Sequence, residues 1–372
     1  MLYSNMSYNS ALWTAGAEVN NVSPGNLVPG AYDYSSLGLS FWQAPDYAST
    51  QQYPLTAGTG QPNGPMAFDM LAASYVYGAN TAYHAGDTVY TLTSATNLQT
   101  IWDAGGSDTL DASGISEAVI LDLTPMPQNP STAWFNGANI NATSNTLIGG
   151  AYMTPGTLNS FQAVVIENAT GGSGNDLLIG NSVANVLNGG GGNDLLIGLG
   201  GNDTLNLGSG GNDIVGYSSL LNQGQDSISN FTPYANGAGD LISFNSDAAT
   251  ALDDGWWGVA NTLSWSQNTG SALNLTNGNF EAVYINFTAG GMASSSGGLT
   301  AAIATYLNTG SNAITAAGAD ALFVVATNDN ATVVYSYLET NSVVEAADFT
   351  LLATITGVAE TYAQAQTSFA LG

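Results

Sequence analysis

Between residues 171 and 216 a large apolar side chain recurs every nine positions, at Leu178, Leu187, Leu196 and Leu205, and once more at Val215 after one extra residue. A helix would repeat near every third or fourth position and a half-buried strand at every second, so neither element alone explains this spacing. The unit reads G-G-x-G-x-D-x-U-x, with U the apolar residue: "GGSGNDLLI", "GNSVANVLN", "GGGGNDLLI", "GLGGNDTLN" and then "GSGGNDIVG". The glycine-rich part predicts a tight turn, and the last three residues predict a short strand whose U side chain points inward. One unit is half a turn of a coil, so two units complete a turn and residues 18 apart become neighbours.

Outside the repeats the pattern changes several times. Residues 1–65 are rich in Asn, Ser, Pro, Gly and Tyr without a sustained period and read as ordered irregular structure anchored by Trp13, Phe41 and Trp42. "PMAFDMLAASYVYG" (65–78) starts at a proline, places Met66, Met70, Leu71, Ser74 and Tyr77 near one face and stops at Gly78, which predicts a helix. From Thr81 to Asn168 short β-type runs come next, among them "DTVYTL", "AVILDL" and "QAVVIEN". After the repeats come "DSISNF" and "DLISF", a stretch bearing Trp256, Trp257 and Trp265, a second helix in "GGLTAAIATYLNTG", and a hairpin in "ADALFVVATNDNATVVYSYL" turning at Asn328 to Asn330. Four regions result: 1–65, 66–170, 171–245 and a β-rich tail module at 246–372. The fold class is mainly β with few short helices.

Composition sharpens this picture. The 372 residues include 27 Asp and Glu, one His, and no Lys or Arg, for a formal charge of -27. Average usage would give on the order of 45 Lys and Arg in such a chain. No carboxylate can therefore form a salt bridge to a basic side chain, and cations must come from outside. The charge excludes nucleic acid and anionic membranes as partners. With 44% hydrophobic residues, 7 Trp, 18 Tyr and 11 Phe, the chain has the material for a packed core. Cysteine is absent, so disulfides and thiolate metal sites are too. "MLYSNMSYNSALW" has neither the basic nor the apolar part of a cleaved signal, and no run of about 18 apolar residues predicts a membrane span.

The repeats carry the candidate chemistry. Each brings an Asp or Asn to the end of its turn, at Asp176, Asn185, Asp194, Asp203 and Asp213, beside Gly172, Gly174, Gly190, Gly192, Gly201 and Gly211. With two units per turn, Asp176 stacks near Asp194 on one edge and Asn185 near Asp203 on the other. Carboxylates and turn carbonyls form a hard-oxygen cage, which suits Ca²⁺ with six to eight oxygens better than Mg²⁺ or Zn²⁺. Several calcium ions are expected.

On these residues the chain resembles the RTX family, whose parallel β-roll binds calcium and which leaves Gram-negative bacteria by type I secretion. The roll is expected to be flanked by β-sandwich-like segments. "PMAFDMLAASYVYGAN", "GDTVYTL", "TIWDAGGSDTLDASG", "VIENATGGSGND" and "GQDSISNF" are similar, in order and wording, to the serralysin metalloproteases from the end of their catalytic domain through the β-roll. "WDAGGSDTLDAS" is either a further calcium loop through Asp103, Gly105 and Asp108, as the resemblance implies, or a glycine turn. "YSNMSYNS" resembles the Met-turn of that family, with Met6 and Tyr8 at its zinc-site positions. The zinc motif H-E-x-x-H-x-x-G-x-x-H does not occur, and the single histidine, His84, lies elsewhere. Met6 and Tyr8 are therefore read as core or loop residues, His84 is given no role, and no catalysis is expected. "EAADFTLLATITGV" and "SFALG" are similar to C-terminal regions of type I secreted surface proteins, either as an export signal or as an ordinary terminal β-element.

The sequence thus points to a secreted, non-enzymatic, calcium-binding structural protein of the surface-layer or filament kind, with calcium, its own copies and the type I secretion machinery as partners. The alternative is the non-catalytic C-terminal portion of a serralysin-like zinc metalloprotease.

Overall fold

Parallel strands dominate the computed structural model, which describes residues 77–93, 99–124, 137–140, 144–148, 151–153, 161–217, 223–244, 264–267, 273–274, 281–287, 299–308, 314–315, 320–338 and 344–371. The expectations for 1–65, Met6 and Tyr8 included, for most of the 65–78 helix and for Trp256 and Trp257 lie outside these residues. Tyr77 is helical, and Gly78 comes next at a φ of 84°, the stop that the sequence requires. The described residues up to Leu196 form one compact unit and those from Ile197 onward a second.

In the first unit the chain passes back and forth between two sheets. Strands Val89–Thr91, Thr109–Asp111, Asn168–Thr170 and Val186–Asn188 lie in order in one of them, all parallel. In the other, Leu177–Asn181 runs parallel to Val119–Asp122, whose far side carries the antiparallel strands Gly137–Ile140 and Ser144–Ile148. Val186 faces Asn168 and Leu187 faces Ala169, a spacing of one 18-residue turn. "QAVVIEN" reads as one strand from its sequence. It forms Phe161–Ala163 and then, after a break, Asn168–Thr170, with Ile166 fully buried between them.

In the second unit Thr204–Asn206 pairs in parallel with Asp226–Ser229, and Ile214–Tyr217 with Leu241–Phe244. The tail does not stand apart from these strands. Phe349–Thr356 adds in parallel to Asp226–Ser229, and Phe369–Leu371 adds in parallel to Leu241–Phe244. The expected hairpin is present as Asp320–Ala326 and Ala331–Leu338, with Asn330 at a φ of 58° in its turn. The second helix spans Leu299–Leu307, and its Leu299, Ile303 and Leu307 are buried against Val325, Tyr335 and Phe349 among others.

The repeat's inward residues behave as their period requires: Leu178, Leu187, Leu196, Leu205 and Val215 are all fully buried. Alternate units differ. "DLLI" gives five-residue strands in which Leu177, Leu178 and Ile179 are all buried, whereas "NVLN" gives a three-residue strand whose Val186 is 48% exposed. The strand with three successive apolar residues is thus covered on both faces, and the strand with one core residue on one face only.

Candidate calcium-binding site

The turns between strands are held by backbone lying directly on backbone. Gly190 and Gly192 have φ values of 98° and 108°, and a Cβ at either would collide with the carbonyl oxygen of Gly172 or Gly174 one turn earlier. Glycine is required at both positions by conformation and by space. The repeat therefore stacks the carbonyl-bearing turns 172–174 and 190–192 in contact, eighteen residues apart.

The acidic residues form a chain of a specific kind. The N–H of Asp176 donates to Oδ1 of Asp194 at 2.8 Å, and the N–H of Val119, one turn earlier, donates to Oδ1 of Asp176 at 2.9 Å. In the same sense Thr88 N–H donates to Asp108 (2.8 Å) and Asp108 N–H to Glu167 (2.8 Å). In the second unit Asp203 N–H donates to Asp226 (3.0 Å) and Asp213 N–H to Asp240 (2.9 Å). Each carboxylate thus fastens the strand start of the preceding rung. The asparagine before the aspartate bonds in the opposite sense, since Asn175 Oδ1 accepts from the later Asn193 N–H at 2.8 Å and Asn212 Oδ1 from the later Gly239 N–H at 2.7 Å.

Asp103, Asp108, Asp176, Asp194, Asp203, Asp213, Asp226 and Asp240 are all at most 3% exposed. Burial pushes Asp176 and Asp226 up to about 6, partly offset by the N–H groups it accepts in the case of Asp176 and by Asp203 N–H and the Tyr217 hydroxyl in the case of Asp226. Asp240 is raised for the same reason. Asp108 is pushed up to about 6 by burial first and then by the negative charges of Asp103 and Glu167, against the Thr88 N–H. Its Oδ2 is buried without a hydrogen-bond partner. A buried carboxylate in a chain without Lys or Arg is costly unless a cation reaches it. The donor set is oxygen throughout, which fits a hard divalent ion.

The predicted loop at Asp103 is built around its first aspartate: Gly105 N–H donates to Asp103 Oδ1 at 2.7 Å, and the Tyr90 hydroxyl to Oδ2 at 2.6 Å. His84 hydrogen-bonds that same hydroxyl at 2.8 Å, so it supports Tyr90 from outside the loop. Among the described residues no three acidic or imidazole groups converge on a single point, so backbone carbonyls must complete any cation's shell. Asn185 is placed differently from the aspartates. It accepts from Asn181 N–H at 2.7 Å and donates to the Glu167 carbonyl at 2.8 Å, which binds its own turn to the preceding rung.

Sequence reasoning missed Glu167, Asp226 and Asp240. Each sits at the start of a short strand with its inward residue two positions on, at Ala169, Ile228 and Ile242, which is the D-x-U pattern of the repeat without its glycines. Stacked glycine turns that present carbonyls beside buried carboxylates are the decisive arrangement. These are RTX calcium-binding repeats. The family model for the RTX calcium-binding nonapeptide repeat (4 copies) matches residues 170–205 and 179–215. Calcium is accordingly the ion of the roll, at several sites.

The chain is also homologous to metalloproteases over part of its length. It is 35% identical over 162 residues to metalloprotease AprA of Pseudomonas entomophila, covering 40% of this chain and 29% of that protein. It is 38% identical over 138 residues to serralysin of Photorhabdus laumondii (34% of this chain, 25% of that one). Serralysin B of Dickeya chrysanthemi is 40% identical over 129 residues (31% and 23%). The match thus spans less than a third of each of these relatives.

Proposed function

We propose that this chain is a secreted, non-catalytic structural protein that folds when it meets calcium outside the cell and then associates with its own copies at the cell surface. The observation that carries the reading is the stack of buried carboxylates in a chain with no Lys or Arg to neutralise them. In calcium-poor surroundings the carboxylates repel and the glycine turns cost backbone entropy, and a bound ion removes the first and offsets the second. The ligands would be Asp176, Asp194, Asp203 and Asp213, with the carbonyls of Gly172, Gly174, Gly190, Gly192, Gly201 and Gly211, the Asn185 turn, and in the earlier loop Asp103, Gly105 and Asp108. Neutralising part of the -27 charge allows a surface of uncharged polar and aromatic residues to pack against its copies. One histidine cannot supply the three of the zinc motif.

Light scattering and electron microscopy of the purified protein with and without millimolar calcium test this. Calcium-dependent assemblies are expected, and a strict monomer in both conditions at high concentration removes the structural role. A second reading is favoured by the names of the relatives: the roll-bearing portion of a serralysin-like metalloprotease. Metal analysis and casein digestion with the full gene product separate the two, since one tightly held zinc with casein cleavage overturns the structural reading.

A further inference from the structure

Far along the sequence from the repeats, one carboxyl group is buried without any part in them. Glu360 is 1% exposed, and neither of its carboxyl oxygens is in hydrogen-bonding geometry with a donor. Its backbone is firmly fixed: its N–H donates to Thr332 Oγ1 at 2.9 Å, and its carbonyl accepts from the Tyr284 hydroxyl at 2.6 Å. It lies in the link between strand Phe349–Thr356 and the C-terminal helix Tyr362–Ser368, just after Gly357, whose φ is 82°.

Beyond Glu360 the chain forms a short closing element. Thr361 caps the helix through a reciprocal pairing with Gln364, and Phe369–Leu371 then lies along Leu241–Phe244 as the edge strand of that sheet. A few contacts hold it. Tyr234 N–H donates to Ser368 Oγ at 3.0 Å, Thr367 Oγ1 donates to the Tyr234 carbonyl at 2.6 Å, and Trp265 meets the rings of Tyr362 and Phe369 edge-on at 6.4 and 6.1 Å between centroids. The other walls around Glu360 are strands Glu281–Asn286 and Ala331–Leu338, each paired to a strand on both sides.

We propose that Glu360 is the pin of a pH-operated latch: protonated, it lets the 361–371 element close over the 241–244 edge, and ionised, it drives that element off. Ionisation demands water or a cation, the chain has no Lys or Arg to offer, and the helix–strand element is the wall that ends at a sheet edge, where 369–371 pairs with 241–244 alone among the described strands. Among the described residues the titratable group facing Glu360 is the Tyr284 phenol from strand 281–286, which itself packs on the Tyr362 ring of the helix at 5.7 Å between centroids. Tyr284 is pushed up to about 12 by burial and by Glu360 itself. Thr332 and Ser368 are the polar neighbours from strand 331–338 and the helix end.

Burial pushes Glu360 up to about 7, against a weaker downward pull from the Ser368 hydroxyl. A carboxyl raised in the closed state contributes stability that is complete below its ordinary value and lost as pH rises through 7. Opening should therefore become favoured by roughly two orders of magnitude between pH 4.5 and pH 8. The open state bares the 241–244 edge, where a second copy's 369–371 strand can pair in parallel, so the latch couples pH to strand exchange between copies.

Hydrogen exchange read by mass spectrometry on the calcium-saturated full chain at pH 5 and pH 8, corrected for intrinsic rates, tests this. Peptides covering 361–371 and 241–244 should lose protection by about 100-fold at pH 8 while 177–199 keeps theirs. Glu360→Gln, neutral at both values, should hold the element closed throughout. Equal protection of wild-type 361–371 at both values overturns the latch, as does a Glu360→Gln protein that keeps the pH dependence.

Discussion

The backbone N–H of Asp176 reaches the carboxylate of Asp194 at 2.8 Å across eighteen residues of chain, so the acidic side chain of one turn secures the strand start of the turn before it. The same aspartate is therefore a structural acceptor and a candidate ligand, and substitutions can separate the two roles. Asp194→Ala leaves a buried N–H without its acceptor and should cost about 1–3 kcal/mol beyond the loss of calcium. Asp194→Asn keeps an acceptor oxygen and should lose calcium with a smaller fall in stability. Isothermal titration with calcium and thermal unfolding of both variants check this; unchanged stoichiometry and unchanged Tm in Asp194→Ala would show that the register is wrong.

Calcium removal should unfold the repeats. Circular dichroism in excess EDTA should show loss of β-structure that millimolar CaCl₂ restores, because both the turn entropy and the carboxylate repulsion then go uncompensated. Identical spectra in the two conditions refute a calcium-dependent fold.

In calcium-free buffer the protein should be more structured at mild acid than at neutrality. Asp176 and Asp226 are raised to about 6 and Asp240 is raised as well, so the stability they contribute is complete below about pH 4 and lost as pH rises through 6. Saturating calcium should abolish this dependence near neutrality. A metal-free protein whose unfolding temperature rises from pH 4.5 to pH 7.5 contradicts the assignment.

Two neighbouring substitutions test the inward register. Leu187 is fully buried and Leu187→Ala should cost about 2–5 kcal/mol, whereas Val186 is 48% exposed and Val186→Ala should change stability by less than about 0.5 kcal/mol. Chemical denaturation in calcium measures both, and comparable losses at the two positions would place the wrong face inside.

Asp240 is the strongest test of the rungs that lack glycine repeats. Its two carboxylate oxygens accept from Asp213 N–H at 2.9 Å and from Thr232 N–H at 2.6 Å. Asp240→Ala strands both donors and should destabilise the second unit by about 2–4 kcal/mol. A thermal midpoint equal to wild type removes Asp240 from the ladder.

The sequence announced the coil because its period is covalent: the turn needs glycine at fixed places, and the inward leucines recur at fixed distances. Leu178 and Leu187 could be placed in the core, and Asp176 opposite Asp194, without coordinates. The lateral spread of the ladder was harder to read. Glu167, Asp226 and Asp240 do the same work where the connecting loops have grown, with partners 59, 23 and 27 residues away, so no fixed period marks them. The attachment of the tail was also hidden. Strand 349–356 pairs with residues more than a hundred positions earlier, and its sequence specifies a β-strand but not the neighbour it adds to.

Six carboxylate rungs among the described residues point the same way along the chain, and the Asp87 carboxylate, which accepts from Ser107 N–H, points the other way. In the six, the amide of the earlier residue donates and the side chain of the later residue accepts, from Thr88 and Asp108 through to Asp213 and Asp240. The asparagine rungs run in the opposite sense, so neighbouring turns are joined by antiparallel pairs of side-chain bonds. A chain lengthening from its N-terminus thus presents strand-start amides that the next carboxylate accepts, together with asparagine oxygens such as those of Asn175 and Asn212 that accept from the next turn's amides, so each turn is a two-way template for its successor. Loss of a turn from either side should therefore leave both an amide and a side-chain acceptor of the next turn without partners.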